Sequence, residues 1–240
     1  MTWRWIPPIT ADGPTQMAID RWMLDQLESG PGASMLRLYR WSRPTLSLGR
    51  HQQRLEPHWF ELQARGLIDL VRRPSGGRAV LHAGELTYAL VQRPASLRRE
   101  QVYRQACRWL IEAFAEFQQP LQFGTGPSAA AQSRQSCFAT ATAADLVQAD
   151  GVKRIGSAQL WRSGLVLQHG SLLLDPPVSL WNLVFGTDPP AVAALPLEPL
   201  RLEACLRAAA QRHLCGGCLE EHPLTPGEWQ QVQRLRQDPG

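Results

Sequence analysis

Two glycine-bearing dipeptides, Asp150-Gly151 and Ser163-Gly164, constrain this 240-residue chain more than any other feature. Each supplies the positive φ that a tight hairpin between right-twisted strands requires. Around them lie LVQA (146–149), KRIGSAQLW (153–161) and LVLQHGSLLL (165–174). Residues 145–174 are therefore predicted to form an antiparallel meander, closed by Asp175-Pro176-Pro177.

The rest of the chain has to cover that meander. Ile19, Met23 and Leu27 recur at helical spacing and predict a helix over 15–28. Short strands are predicted at 35–41 and 45–48, separated by the Ser-Arg-Pro turn signal at 42–44, and a helix starts at Pro57. A strand over 67–72 leads into PSGGR and a further strand pair, 78–81 and 86–92. Over 99–117, Val102, Ala106, Trp109, Leu110, Ala113, Phe114 and Phe117 make a continuous apolar stripe. A small-residue loop (124–135) then precedes Ser136-Cys137-Phe138, and a short helix is predicted near 178–185. Two amphipathic helices follow, at 200–214 and 226–236, the second opened by the capping box Thr225-Pro226-Gly227-Glu228. Helices interleaved with hairpins disfavour a Rossmann sheet. They predict an α+β fold, a mixed and largely antiparallel sheet covered by helices.

Composition excludes several classes. Charged residues at 19% and hydrophobic ones at 44% describe a globular chain, and no apolar run approaches the 18 residues of a membrane span. The opening MTWRWIPPIT lacks the basic and apolar regions of a secretory signal, so a cytoplasmic location is expected. Five cysteines are expected to be reduced thiols, and Cys215-x-x-Cys218 lacks the second pair that a zinc site needs, so no metal is expected. A formal charge of +4 suits an acidic partner, whereas arginines without interleaved aromatics argue against nucleic acid. Of 25 basic residues 24 are Arg, and Lys153 is the single lysine. An ammonium is a compact charge with a tunable pKa, which guanidinium is not. Lys153 is thus either an exposed hairpin residue or the one position where Arg does not serve.

Four segments could carry chemistry. In Arg72-Arg73-Pro74-Ser75-Gly76-Gly77-Arg78-Ala79-Val80-Leu81-His82, paired glycines expose backbone N–H groups and the arginines add charge; the same residues also suit a solvated turn. No Gly-Lys-Ser/Thr follows, so this is not a P-loop. In Lys153-Arg154-Ile155-Gly156-Ser157-Ala158-Gln159, strand alternation puts Lys153, Ile155 and Ser157 on one face, and Gly156 marks a bulge or a close ligand approach. His169-Gly170 interrupts an apolar strand that the hairpin brings back beside 153–159. Cys137 is either a small packing residue or a nucleophile, and the second role needs a positive neighbour such as Lys153. Cys107 and Cys205 fall within amphipathic helices and are assigned to packing.

In order, GPTQMAID (13–20), PTLSLG (44–49), RRPSGGRAVLH (72–82), KRIGSAQ (153–159) and QHGSLLL (168–174) resemble the motifs of the biotin/lipoate protein ligase superfamily, over about residues 13–175. PTLSLG looks like the family's first hairpin, RRPSGGRAVLH its substrate loop and KRIGSAQ its lysine strand. The resemblance implies a catalytic domain over 1–185, with a proline-rich connection and C-terminal helices (186–240) packed on it. Gly76 to Tyr88, with Cys137 ahead of the lysine strand, look most like the LipM-type octanoyltransferases. Arg78 stands at the third glycine of the ligase motif, and Ala83 where both subfamilies often carry Asp, which removes that carboxylate from any expected role.

That resemblance implies transfer of octanoate from an acyl carrier protein to the lysine of a lipoyl-carrier domain, either the glycine cleavage H protein or an E2 subunit. Cys137 would form the thioester, and Lys153 would favour the thiolate and polarise the acyl carbonyl. Arg73, Ser75, Gly76, Gly77, Arg78, His82, Gly156, Ser157, Ala158, His169 and Gly170 would line the acyl site. No cofactor is expected. The alternatives are an amidotransferase using the same thioester, and a lipoate ligase in which ATP and Mg enter, Lys153 holds the adenylate and Cys137 is incidental. A non-catalytic lipoyl-domain binder is the remaining reading.

Overall fold

The computed structural model describes residues 2–96, 98–125, 145–195 and 197–237. Eleven strands and six helices run β1 (Trp3–Ala11), α1 (Gly13–Glu28), β2 (Ser34–Trp41), β3 (Thr45–Leu48), α2 (Pro57–Ala64), β4 (Asp69–Arg72), β5 (Val80–His82), β6 (Glu85–Gln92), α3 (Arg99–Glu116), β7 (Gln122–Phe123), β8 (Leu146–Val147), β9 (Lys153–Arg162), β10 (Leu165–Leu173), α4 (Val178–Phe185), α5 (Pro199–His213), β11 (Leu219–Glu221) and α6 (Pro226–Gln237) among those residues. A large sheet has the order β11-β1-β2-β6-β10-β9-β8-β7, and a small one the order β4-β3-β5.

The meander forms as its turns predict. Gly151, Ser163 and Gly164 all take positive φ (82°, 50° and 75°), and the latter two make the left-handed pair of a type I′-like turn. Asp150 Oδ1 accepts from the Val152 amide at 3.0 Å, fixing the first turn. β9, β10, β6 and β2 then pair antiparallel in continuous register, whereas β1 joins β2 and β11 in parallel. The expected mixed, largely antiparallel sheet is the one observed.

Three expectations need correction. Residues 44–49 are not a hairpin with the preceding strand: β2 pairs with β1 and β6, while β3 pairs with β4 and β5. Residues 78–81 and 86–92 are likewise no pair, since β5 lies in the small sheet and β6 in the large one. In both places the short connection carries the chain from one sheet to the other, and the gap between the sheets is where the cavity described below opens. The third concerns Lys153 and Ile155, which do not share a face. Leu146 pairs with Ile155 but Val147 with Lys153, a register shift of one residue. This bulge lets Ile155 enter the apolar core while Lys153 lines the cavity.

β1 is a strand that pattern alone does not reveal, because it contains Pro7 and Pro8. Both fall in the register shift between Ile6 and Ile9, beyond the three residues that pair with β11, where a missing N–H costs no ladder bond.

Three apolar clusters hold the layers together. The α3 stripe of Val102, Ala106, Trp109, Leu110, Ala113 and Phe114 is buried against one sheet face, with Leu202, Leu206 and Ala209 of α5 beside it. Each large side chain there contributes up to about 1.5–3 kcal/mol. On the other face α1 packs Ile19, Trp22, Met23 and Leu27 with Val232 of α6. Trp59, Leu62, Trp181 and Val184 of α2 and α4 cover the small sheet. The capping box of α6 is present, the Thr225 amide donating to Glu228 Oε2 at 2.8 Å. Arg4 of β1 reaches the same carboxylate at 2.7 Å.

Candidate functional site

A cavity of about 450 Å³ lies between β9, β10 and β6 of the large sheet and the loop joining β4 to β5. Arg73, Gly76, Gly77, Arg78, His82, Lys153, Gly156, Ser157, Ala158, His169 and Gly170 all line it. Ser75, the remaining wall candidate, is 1% exposed and reaches His169 from behind. Cys137 lies outside the described residues, as does most of the small-residue loop before it.

Lys153 is 4% exposed, and its ammonium meets Asp145 Oδ1 at 2.8 Å. Asp145 is 4% exposed and also lines the cavity. A buried ammonium against a carboxylate is an expensive pair, which single-residue truncation would leave uncompensated. The alternative of an exposed hairpin lysine is thereby excluded.

The two histidines are each held at both ring nitrogens. His169 Nδ1 lies 2.8 Å from Asp20 Oδ2, and Nε2 lies 2.5 Å from Ser75 Oγ. Burial alone would raise the Asp20 carboxyl, but the Arg37 guanidinium, at 2.5 Å, and His169 outweigh it and hold Asp20 below the usual carboxylate range. An ionised Asp20 takes a proton donor, which assigns the hydrogen to Nδ1 and leaves Nε2 to accept from the Ser75 hydroxyl. His82 repeats the pattern, with Nδ1 2.9 Å from Glu85 Oε1 and Nε2 2.8 Å from Ser47 Oγ. Trp41 stacks on the His82 ring at 4.0 Å and donates its indole N–H to Thr87 Oγ1. Each ring thus has a hydrogen-bond partner at both nitrogens, which fixes its orientation in the wall.

The glycine loop is braced from within. Arg73 donates to the carbonyls of Ser47, Gly76 and Arg78 at 2.7–2.8 Å, so its charge faces the loop backbone. Gly77 takes φ 98°, and a Cβ on Gly49 would fall 1.9 Å from Gly77 O, so β3 and the loop touch backbone to backbone. On the cavity floor a Cβ at Gly170 would meet Ser157 Oγ at 2.4 Å and Tyr88 Cε1 at 2.5 Å. Tyr88 holds Ser157 at 2.8 Å and is itself held by Gln168 at 2.7 Å.

Sequence reasoning missed Asp20, Asp145, Trp41, Ser47, Glu85 and Ser171. The signal for Asp20 was present: a carboxylate about two turns into a buried helix needs a partner, and Arg37 in the next strand is one. Ser171, 3% exposed, lines the cavity with a hydroxyl that has no hydrogen-bond partner among the described residues. Among the described residues no group of three or more His, Cys, Asp or Glu gathers as a metal site. No helix among them is long and apolar enough to cross a membrane.

Fold and site together define a catalytic domain of the ligase type, in which a mixed sheet floors a cavity and a lysine stands in its wall. The chain belongs to the lipoyl protein ligase A/B catalytic-domain family, whose model matches residues 12–191. It is 36% identical over 231 residues to an octanoyltransferase LipM from Moorella thermoacetica, covering 92% of this chain and 78% of that one. Its identity is also 36% over 185 residues to an octanoyltransferase LipM from Symbiobacterium thermophilum, covering 74% and 67%. Among solved structures, a T. acidophilum protein with bound lipoic acid superposes with a TM-score of 0.79 at 18% identity, covering 99% and 96% of the two chains. A lipoate-protein ligase A bound with ATP gives 0.78 at 18% identity, over 99% and 95%. These two support the fold, and the family that the sequence resembles is borne out.

Proposed function

We propose that this protein is an octanoyltransferase of lipoate biosynthesis, moving an octanoyl group from an acyl carrier protein to the lysine of a lipoyl-carrier domain. The observation that carries the reading is Lys153, the chain's single lysine, buried in the cavity wall against Asp145. The relatives named octanoyltransferase favour transfer over ATP-dependent ligation.

In this mechanism the Cys137 thiolate attacks the carbonyl carbon of the octanoyl thioester. The carbon–sulfur bond to the donor breaks, and the donor leaves as a thiol. The acceptor amine then attacks the Cys137 thioester, loses a proton and releases the cysteine as an amide forms. Lys153 serves both steps, its charge favouring the thiolate and its N–H donors stabilising the oxyanion. The reaction balances without ATP, metal or other cofactor. His169 pairs with Ala158, five residues along β9 from Lys153, roughly 16 Å at the usual strand rise. An extended eight-carbon chain fits within that span, between walls built of Gly76, Gly77, Gly156, Ser157 and Ala158.

The test is incubation with octanoyl-acyl carrier protein without ATP, followed by mass spectrometry. An octanoyl adduct on Cys137 that transfers to a lipoyl domain is the expected result. Modification that requires ATP and survives Cys137→Ala would overturn the proposal. Lys153→Arg should fold normally and lose most of the rate; near-normal activity would remove Lys153 from the mechanism.

A further inference from the structure

A second polar feature stands behind the glycine loop, outside the cavity. A surface depression is lined by Arg50, His51, Gln52, Gln53 and Arg72, and exposed Arg54 follows on the same segment. No acidic side chain lines it. Arg50, Arg54 and Arg72 form no ion pair among the described residues, although the arginines at positions 4, 37, 40, 162 and 207 all do. A cluster of exposed guanidiniums without carboxylates repels itself, and an external anion relieves that repulsion.

The cluster is also built into a fixed shape. Arg72 Nη1 donates to the carbonyls of Gly49, Arg50 and Gln52, at 2.7, 3.3 and 3.1 Å, which folds the 49–52 segment around it. The Arg50 amide donates to Ser75 O at 2.8 Å, and Gly49 lies against Gly77. The segment that lines the basic depression thus touches the 75–77 loop that borders the cavity, and depression and cavity share no lining residue.

We infer that the depression of Arg50 and Arg72, with exposed Arg54 further along the same segment, is the docking site for the acidic carrier that delivers the acyl group, the arginines meeting the phosphodiester at the base of the carrier's arm and the acidic residues around it. This deepens the proposed function and rests on it. Two features favour the donor over the acceptor. Forked guanidiniums match a phosphodiester, which the donor's arm carries and a lipoyl-domain lysine does not. The set-back from the cavity suits a long arm that crosses Gly76-Gly77, whereas a lysine side chain must be presented at the mouth itself.

The experiment compares two donors in the acylation of Cys137 by the full chain: octanoyl-acyl carrier protein, and octanoyl-pantetheine, which has neither phosphate nor carrier. With Arg50→Glu/Arg54→Glu, kcat/KM for the carrier donor is expected to fall about tenfold or more, chiefly through KM. The rate with octanoyl-pantetheine should stay within about twofold, which also reports that the variant is folded. Arg50→Ala/Arg54→Ala should give a smaller fall of the same kind, and wild-type KM for the carrier should rise with salt. An unchanged KM for the carrier overturns the inference. So does an equal loss with both donors, or a loss confined to transfer onto the lipoyl domain. If neither donor acylates the wild-type chain, the transferase reading itself falls and the docking site with it.

Discussion

Asp20→Asn removes one charge at nearly constant volume, and the surroundings of that charge set the size of the effect. Asp20 is fully buried, and its carboxylate accepts from Arg37 Nη2 at 2.5 Å, from Arg37 Nε at 3.1 Å and from His169 Nδ1. In the variant the Arg37 side chain, 1% exposed, keeps Gln16 Oε1 and Gln16 O at 2.6 and 2.8 Å and the Tyr39 ring at 3.9 Å. Breaking a buried pair from one side costs about 3–5 kcal/mol; the partners that remain place this case near the lower figure, about 3 kcal/mol. For a chain of this size that is a fall in Tm of roughly 6–12 °C. Urea unfolding at pH 7 and calorimetry measure it. The pH dependence has a definite sign. Because folding lowers the Asp20 pKa, its contribution is complete above the unfolded value, about 3.9, and is lost as pH falls through the lower folded value. The gap between wild type and variant should therefore hold from pH 8 to about 5 and close only in stronger acid. Asp20→Asn/Arg37→Met, which removes both charges, should recover at least about 1 kcal/mol over Asp20→Asn alone. A single-variant loss under about 1 kcal/mol, or a double variant as unstable as the sum of the singles, would refute the reasoning.

Gly170→Ala should cost about 1–3 kcal/mol by overpacking and displace Ser157, lowering kcat/KM at least about tenfold; unchanged kinetics would show that the β9–β10 floor does not border the substrate. The hydrogen bonds from Arg4 pull the Glu228 carboxyl down from its ordinary value to about 2. That contribution is present above the unfolded pKa and fades as pH falls towards 2. Arg4→Met should therefore flatten stability between about pH 4.5 and 2, read as urea midpoints at pH 5 and 3; an unaltered slope would rule out this linkage.

Local chemistry was legible where one residue type decides the outcome. Gly151, Ser163 and Gly164 take the φ values their turns demand, and the α3 stripe is buried as its period predicts. Topology was less legible. Strands 34–41 and 45–48 read as neighbours along the chain, yet nothing local signals that Ser42 to Pro44 carry the chain between sheets. The Lys153 face was misread because a one-residue bulge inverts alternation, and a bulge depends on the partner strand. Lys153 itself stood out by composition. Its partner Asp145 did not, since an ion pair across a turn and a bulge leaves no spacing to read. Asp20 and Ser75 meet at His169 from 149 and 94 residues away.

The pairing of β11 with β1 has a bearing on biosynthesis. On the outer edge of β1, Trp3, Arg4 and Trp5 lie opposite Leu219, Glu220 and Glu221, and the Trp3 amide donates to Cys218 O while Trp5 O accepts from the His222 amide. On a ribosome that adds about 5–20 residues per second, this edge waits roughly 10–40 s for its cover. Through that interval two tryptophans lie on an open strand border, the setting in which nascent chains stick to one another. Pro7 and Pro8 shorten the border by interrupting its donors just beyond the segment that β11 will later close. The proline pair that hid β1 from pattern reading thus also guards it while the chain is being made.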